Sequence, residues 1–168
     1  IFYTYDVTNS GVTKRVLDPY AKSMASFNEK KDSVGRAAVV DIKNLGPELQ
    51  YAKIPGYSKR EDAIIWEIHI RDFTSDPNIT TNAQFGTYKA FIERLDYIKS
   101  LGVTHVQLLP IMNFYFGDEL DNKNREAEYS AKDNTYNWGY DPHNYFTVEG
   151  MYSENPLDPE LRVTELKE

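Results

Sequence analysis

Cysteine is absent from this 168-residue chain, which excludes a disulfide framework and any thiolate metal site. No apolar run approaches the length of a membrane span, and no signal-peptide pattern is visible, so no membrane insertion is expected. Basic residues are too few and too scattered to make a phosphate-binding face. Lys and Arg total 19 against 26 Asp and Glu, a formal charge of −7. That balance argues against nucleic acid as a partner and is compatible with a neutral polymer. What the chain does have is aromatic: 13 Tyr within a hydrophobic fraction of 40% make any core ring-rich.

The first residues alternate like a strand. Residues 1–7 and 12–17 predict a hairpin about the turn Thr8-Asn9-Ser10-Gly11, completing a sheet whose other strands lie upstream. Asp18-Pro19-Tyr20-Ala21 breaks that pattern. Residues 22–60 then read as polar and irregular, with one apolar run at Ala37-Ala38-Val39-Val40 and punctuation at Gly46-Pro47 and Pro55-Gly56. A domain boundary is expected near residues 54–62, dividing the chain into 1–55 and 56–168. The chain is expected to be an internal piece of a longer protein.

Past that boundary the signals sharpen. Residues 63–70 are apolar and β-branched, as in a strand covered on both faces. Tyr88, Phe91, Ile92, Leu95, Ile98 and Leu101 then recur at helical spacing. Thr87 is placed to cap that helix and Gly102 to stop it. Residues 103–109 predict a second buried strand, ended by Pro110. Strand, helix and strand without a hairpin return predict a parallel βαβ unit. The long connection over 111–152 points to function or disorder, with disorder expected in its polar part, 117–132. Asp158-Pro159-Glu160 predicts a helix start over 160–168.

Within that connection stands Tyr136-Asn137-Trp138-Gly139-Tyr140-Asp141-Pro142. Gly and Pro this close together exclude a buried strand. Three rings exceed what a surface turn needs. Flat rings on a shaped loop suit the C–H faces of a sugar, where apolar burial and hydroxyl recognition occur together.

The complete string resembles the signature of the type I pullulanases, the α-1,6-glucan debranching enzymes of glycoside hydrolase family 13. Other segments are similar to that family in the same order. Val16-Leu17-Asp18-Pro19-Tyr20-Ala21 resembles the exit from its carbohydrate-binding-like sandwich. Trp66-Glu67-Ile68-His69-Ile70-Arg71-Asp72-Phe73 is similar to its first barrel strand, and residues 101–110 to its second. The resemblance implies an α/β fold: an incomplete (β/α)8 TIM barrel over 56–168, preceded by the end of a β-sandwich over 1–55. Sites in such barrels lie at the C-terminal ends of the strands, where this loop falls.

It also implies retaining hydrolysis of an α-glucosidic bond by a carboxylate pair. Those carboxylates belong to later strands, so no catalytic residue is assigned in this chain. Substrate-binding residues do carry over. Tyr140 is expected to stack under a sugar and Asp141 to bond its hydroxyls; Trp138 is placed with them, with support of the loop as its favoured role. The expected partners are α-glucans (pullulan, amylopectin, glycogen) and the rest of the barrel as a second polypeptide. No cofactor or metal is assigned, although calcium is compatible with the parent enzymes. The implied location is extracellular or cell-wall-attached.

Competing readings are an isoamylase or branching relative, and a non-catalytic glucan-binding piece. Glu67, His69, Asp72 and His105 are read as structural. The stretch Asp118-Glu119-Leu120-Asp121-Asn122-Lys123-Asn124 lacks the spacing of a calcium loop and is read as solvated. Asn78-Ile79-Thr80 receives no role.

Overall fold

Ser10 and Gly11, with φ of 50° and 78°, turn the chain between two antiparallel strands. Paired positive φ values give the two-residue turn whose twist matches a hairpin. The computed structural model describes residues 1–123 and 137–168. Its first strands are β1 (Phe2–Tyr3), β2 (Tyr5–Asn9) and β3 (Val12–Val16). The single strand predicted over 1–7 is therefore divided. β1 leaves the hairpin to pair antiparallel with β4 (Ala37–Ala38), while Tyr5 opposes Val16. The Tyr3 hydroxyl donates to Asp18 at 2.6 Å and pins the break. All of β2 and most of β3 face solvent, so the alternation at Tyr5 and Val7 marks no buried face among the described residues.

The polar stretch after the hairpin is irregular, as predicted, but it is not a solvated linker. Ala21, Ser23, Met24, Ala25, Phe27 and Asn28 are buried together with both residues of β4. Ser23 Oγ donates to Pro159 O at 2.6 Å, and Asn28 Nδ2 to Asp118 at 2.6 Å. Asn144 Nδ2 donates to Asp18 O at 2.8 Å. Small Ala and Ser side chains let backbone approach backbone without periodicity, so burial here leaves no pattern in the sequence.

The predicted βαβ unit is present. β5 (Ile65–Ile68) and β6 (His105–Leu108) pair in parallel, with Ile65 opposite His105 and Ile68 opposite Leu108. Between them lie α1 (Asp72–Ser75), α2 (Tyr88–Ile92) and α3 (Leu95–Ser100). The Thr87 side chain accepts from Ala90 N, and Gly102 stops the helical run at φ 79°. The single predicted helix is broken at Glu93 and Arg94. The Glu93 carboxylate accepts from the backbones of Asn82 and Ala83 at 2.8 Å each. Arg94 sits at φ −104°, ψ 1°, outside the helical region, and starts the next turn.

Burial on both faces of the first strand is not found. Ile64 and Ile65 are 55% and 62% exposed, whereas Ile68 and Ile70 are buried. Among the described residues β5 has β6 as its one strand neighbour, and only its C-terminal end is packed under the helices. The core gathers there: Ile68, Ile70, Tyr88, Phe91, Ile98, Phe114, Met151 and Tyr152 form one cluster. Burying each such side chain contributes about 1.5–3 kcal/mol.

The long connection holds structure that its sequence does not announce. β7 (Met112–Phe114) pairs antiparallel with β8 (Pro142–Val148), with irregular register on both sides of Asn113. Residues 117–123, predicted to be disordered and solvated, are ordered. Gly117 N donates to Glu29, residues 119–121 make a 3-10 turn, and Glu119 and Asn122 are buried. Glu119 is drawn inward by an arginine described below, which a rule that charges face solvent does not anticipate. The rest of that predicted disorder, and Tyr136 of the aromatic string, lie outside the described residues. α4 (Leu161–Lys167) begins one residue later than predicted. Asp158 still acts as its cap, with Oδ1 accepting from Glu160 N and Leu161 N at 2.9 and 3.1 Å.

Candidate sugar-binding loop

Residues 137–141 run across the C-terminal ends of β5 and β6. Asn137 anchors them with three groups. Its carbonyl oxygen lies 2.9 Å from His69 Nε2, just beyond β5. Its Oδ1 accepts from Gly139 N at 2.8 Å, a local turn, and its Nδ2 donates to Phe116 O at 3.0 Å. Gly139 has φ 90° and presses on the end of β6: a Cβ there would stand 2.7 Å from Pro110 O. Only glycine combines that conformation with that approach. Gly139→Ala should therefore displace the loop and destabilise the chain by about 1–3 kcal/mol. A urea-denaturation midpoint unchanged from wild type would contradict this.

Asp141 closes the loop. Its Oδ2 accepts from Phe116 N at 2.9 Å, and its carbonyl accepts from Tyr115 N at 2.9 Å. One carboxylate oxygen thus shapes the loop and the other remains an acceptor. Pro142 begins β8 opposite Phe114, so the string passes from loop into strand at that point.

The loop presents its rings outward. Trp138 is 60% exposed and Tyr140 63% exposed. Trp138 also lines a cavity of about 630 Å³ with Trp66, Glu67, His69, Asp72 and Tyr97 among its walls. Tyr140 and Asp141 lie outside that lining, so the three candidate residues share a loop and do not share one pocket. Of the polar residues near β5 and β6, His69 is buried against the loop. His105 contacts the Tyr57 ring and Thr104 instead.

Behind the loop lies a buried ionic cluster that sequence reasoning missed. Arg162 Nη2 donates to Glu119 Oε2 at 2.8 Å and to Pro156 O at 2.7 Å, and Nη1 donates to Val148 O at 3.2 Å. Glu149 accepts from Phe114 N at 3.0 Å, Met151 N at 2.8 Å and Asn113 Nδ2 at 3.3 Å. Glu149 therefore fixes β7, the strand from which Tyr115 and Phe116 reach the loop. Charged residues carry no periodic signal for burial, so nothing in the sequence flagged the group.

Burial and the Glu119 charge push the Glu149 carboxyl up to about 8, against the pull of the Met151 and Phe114 amides and of Arg162. Burial also raises Glu119, despite Arg162. A raised carboxyl holds its proton in the folded state where the unfolded chain has lost it. Stability should then fall as pH rises from the unfolded value, about 4.3, toward 8, by up to ~1.4 kcal/mol per pH unit. Glu149→Gln loses an amide acceptor and should be less stable at pH 5, yet its profile should be flatter, so the difference shrinks or reverses toward pH 8. Thermal melts from pH 5 to 8 test this; parallel profiles for the two proteins would oppose it.

No family model matches the chain. The chain is 50% identical over 99% of its length to pullulanase A of Streptococcus pneumoniae, of which it spans 14%. It is 31% identical over 91% of its length to the chloroplastic isoamylase SU1 of Zea mays, spanning 18% of it. Among solved structures, the catalytic module of the multi-modular glycogen-degrading pneumococcal virulence factor SpuA matches with a TM-score of 0.92 and 51% identity. That match covers 98% of this chain and 24% of the module. The Group B Streptococcus pullulanase SAP in complex with maltotetraose matches with a TM-score of 0.91 and 45% identity, covering 98% of this chain and 22% of that one.

The parallel strand pair and its helices make a mixed α/β unit, and these solved structures, which match the chain over 98% of its length, are glycosidase proteins named as pullulanases or their catalytic modules. More narrowly, the chain belongs to the pullulanase family, as the counterpart of one segment of its catalytic module.

Proposed function

We propose that this chain supplies part of the substrate groove of a debranching glycoside hydrolase. The whole enzyme cleaves α-1,6-glucosidic bonds in pullulan and branched α-glucans by a retaining mechanism. One observation carries this reading: the loop over residues 137–141 is fastened at the C-terminal ends of both parallel strands with the rings of Trp138 and Tyr140 exposed. Tyr140 stacks on a glucose ring, Asp141 offers its remaining oxygen to sugar hydroxyls, and Trp138 borders the groove. The SAP structure with maltotetraose supports an α-glucan as ligand.

In this reading residues 56–168 begin a (β/α)8 barrel and residues 1–55 end a β-sandwich. The catalytic carboxylates reside on later strands, outside this chain, so turnover requires the remaining polypeptide. The exposed Ile64 and Ile65, beside the edge of β5 that no strand covers among the described residues, support a further strand as its neighbour. The description of SpuA as a virulence factor favours an extracellular or wall-attached location.

Gel electrophoresis through immobilised glucan tests the proposal. The purified chain should be retarded by pullulan and amylopectin and not by hydroxyethyl cellulose, and it should release no reducing sugar. Migration unaffected by pullulan would overturn the groove assignment. Hydrolysis by the isolated chain would overturn the placement of the carboxylates elsewhere.

A further inference from the structure

His69 follows the last residue of β5 and is buried. Its two ring nitrogens have different surroundings. Nδ1 accepts from Asp72 N at 3.3 Å, with Asp72 Oδ1 at 3.7 Å. An accepting Nδ1 leaves the proton on Nε2. Nε2 stands 2.9 Å from Asn137 O, a carbonyl that can only accept, so this nitrogen donates across 68 positions of sequence to the first described residue of the loop. Tyr152 Oη lies 3.3 Å from the same nitrogen, with its ring edge-on to the imidazole at 5.7 Å. Tyr152 is itself fully buried against Tyr88 and Phe114, so the imidazole is backed by the core and held in one orientation.

The other anchors of Asn137 reach Gly139, inside the loop, and Phe116, beyond β7. Neither registers the loop against the parallel strands. Among the described residues, the His69 bond does. His69 and Trp138 also line the same cavity, so a shift in this bond moves the ring that borders it.

We propose that His69 is the positioning residue of the glucan-binding loop: its Nε2–H holds the Asn137 carbonyl and so sets the rings of Trp138 and Tyr140 against the end of β5. This rests on the groove reading above.

Two amide replacements separate positioning from mere polarity. The amide nitrogen of Gln reaches the place of Nε2, whereas that of Asn reaches only the place of Nδ1. Retention on pullulan should fall about tenfold in His69→Asn, the effect of losing one well-made hydrogen bond, and stay within about threefold of wild type in His69→Gln. Equal losses in both variants, or none in His69→Asn, would overturn the proposal. Tyr140→Ala run alongside keeps the two readings apart. Weakened binding there with none lost in His69→Asn sinks the positioning role alone, and undiminished binding there sinks the glucan reading. Long-range nitrogen–proton NMR of the unaltered chain decides the point without any variant. The expected tautomer carries its proton on Nε2, and a proton on Nδ1 with a bare Nε2 would refute the assignment.

Discussion

Tyr140→Ala should weaken retention on pullulan by roughly 10- to 150-fold while leaving the melting temperature near wild type. Covering an aromatic side chain with a ligand's apolar face is worth about 1.5–3 kcal/mol, and each 1.4 kcal/mol is about tenfold in affinity. The ring is 63% exposed in the free chain, so its removal opens no core cavity. Loss of binding with intact stability is the mark of a contact residue. Tyr140→Phe keeps the ring and should recover retention to within about threefold. In the full-length polypeptide the same change should also lower kcat, because a sugar that is bound but misoriented reacts slowly. Retention of Tyr140→Ala equal to wild type would remove this residue from the groove.

Arg162→Leu should be the most destabilising single change described here, by about 3–5 kcal/mol. It leaves the buried Glu119 carboxylate without its cation and removes the donor to Pro156 O and Val148 O. Replacing the pair with apolar groups together would cost less than removing one partner, because the penalty lies in the uncompensated charge. Glu119→Leu combined with Arg162→Leu should therefore be more stable than Arg162→Leu alone. Arg162→Lys should fall between, since one ammonium cannot match the planar fork. Urea denaturation at pH 7 reads all three. A loss below about 1 kcal/mol in Arg162→Leu would mean that the cluster is solvated.

What the sequence disclosed was whatever repeats. The apolar run at 63–70, the helical spacing from Tyr88 to Leu101 and the run at 103–109 gave the parallel unit, because each is a repeating apolar pattern, even though only the C-terminal end of β5 is packed. Thr87 and Gly102 were legible as cap and stop because their backbone roles are local. The helix break at Arg94 was not, since it depends on Glu93 reaching back to the Asn82 and Ala83 amides. β7 and β8 were missed because their register is irregular and their burial follows no period of two.

The site shows the same division. The aromatic string located the loop, whereas the close approach of Gly139 to Pro110 is visible only in the fold. Asp141 looked like a ligand for sugar, yet one of its oxygens serves Phe116 N, a partner 25 positions away. Glu119 was read as a solvated charge and Glu149 and Arg162 drew no reading, because a charged residue taken singly carries no signal of burial. Only the fold brings them into mutual contact.

The segment between the hairpin and β5 has a practical consequence. Residues 46–53 and 55–60 are all exposed, whereas the residues before them are bonded to the far end of the chain through Ser23, Asn28 and Lys167. Peptide continuity across 46–59 is thus a leash and not a fastening. A protease that severs it should yield two pieces that travel together through a sizing column and part only in denaturant.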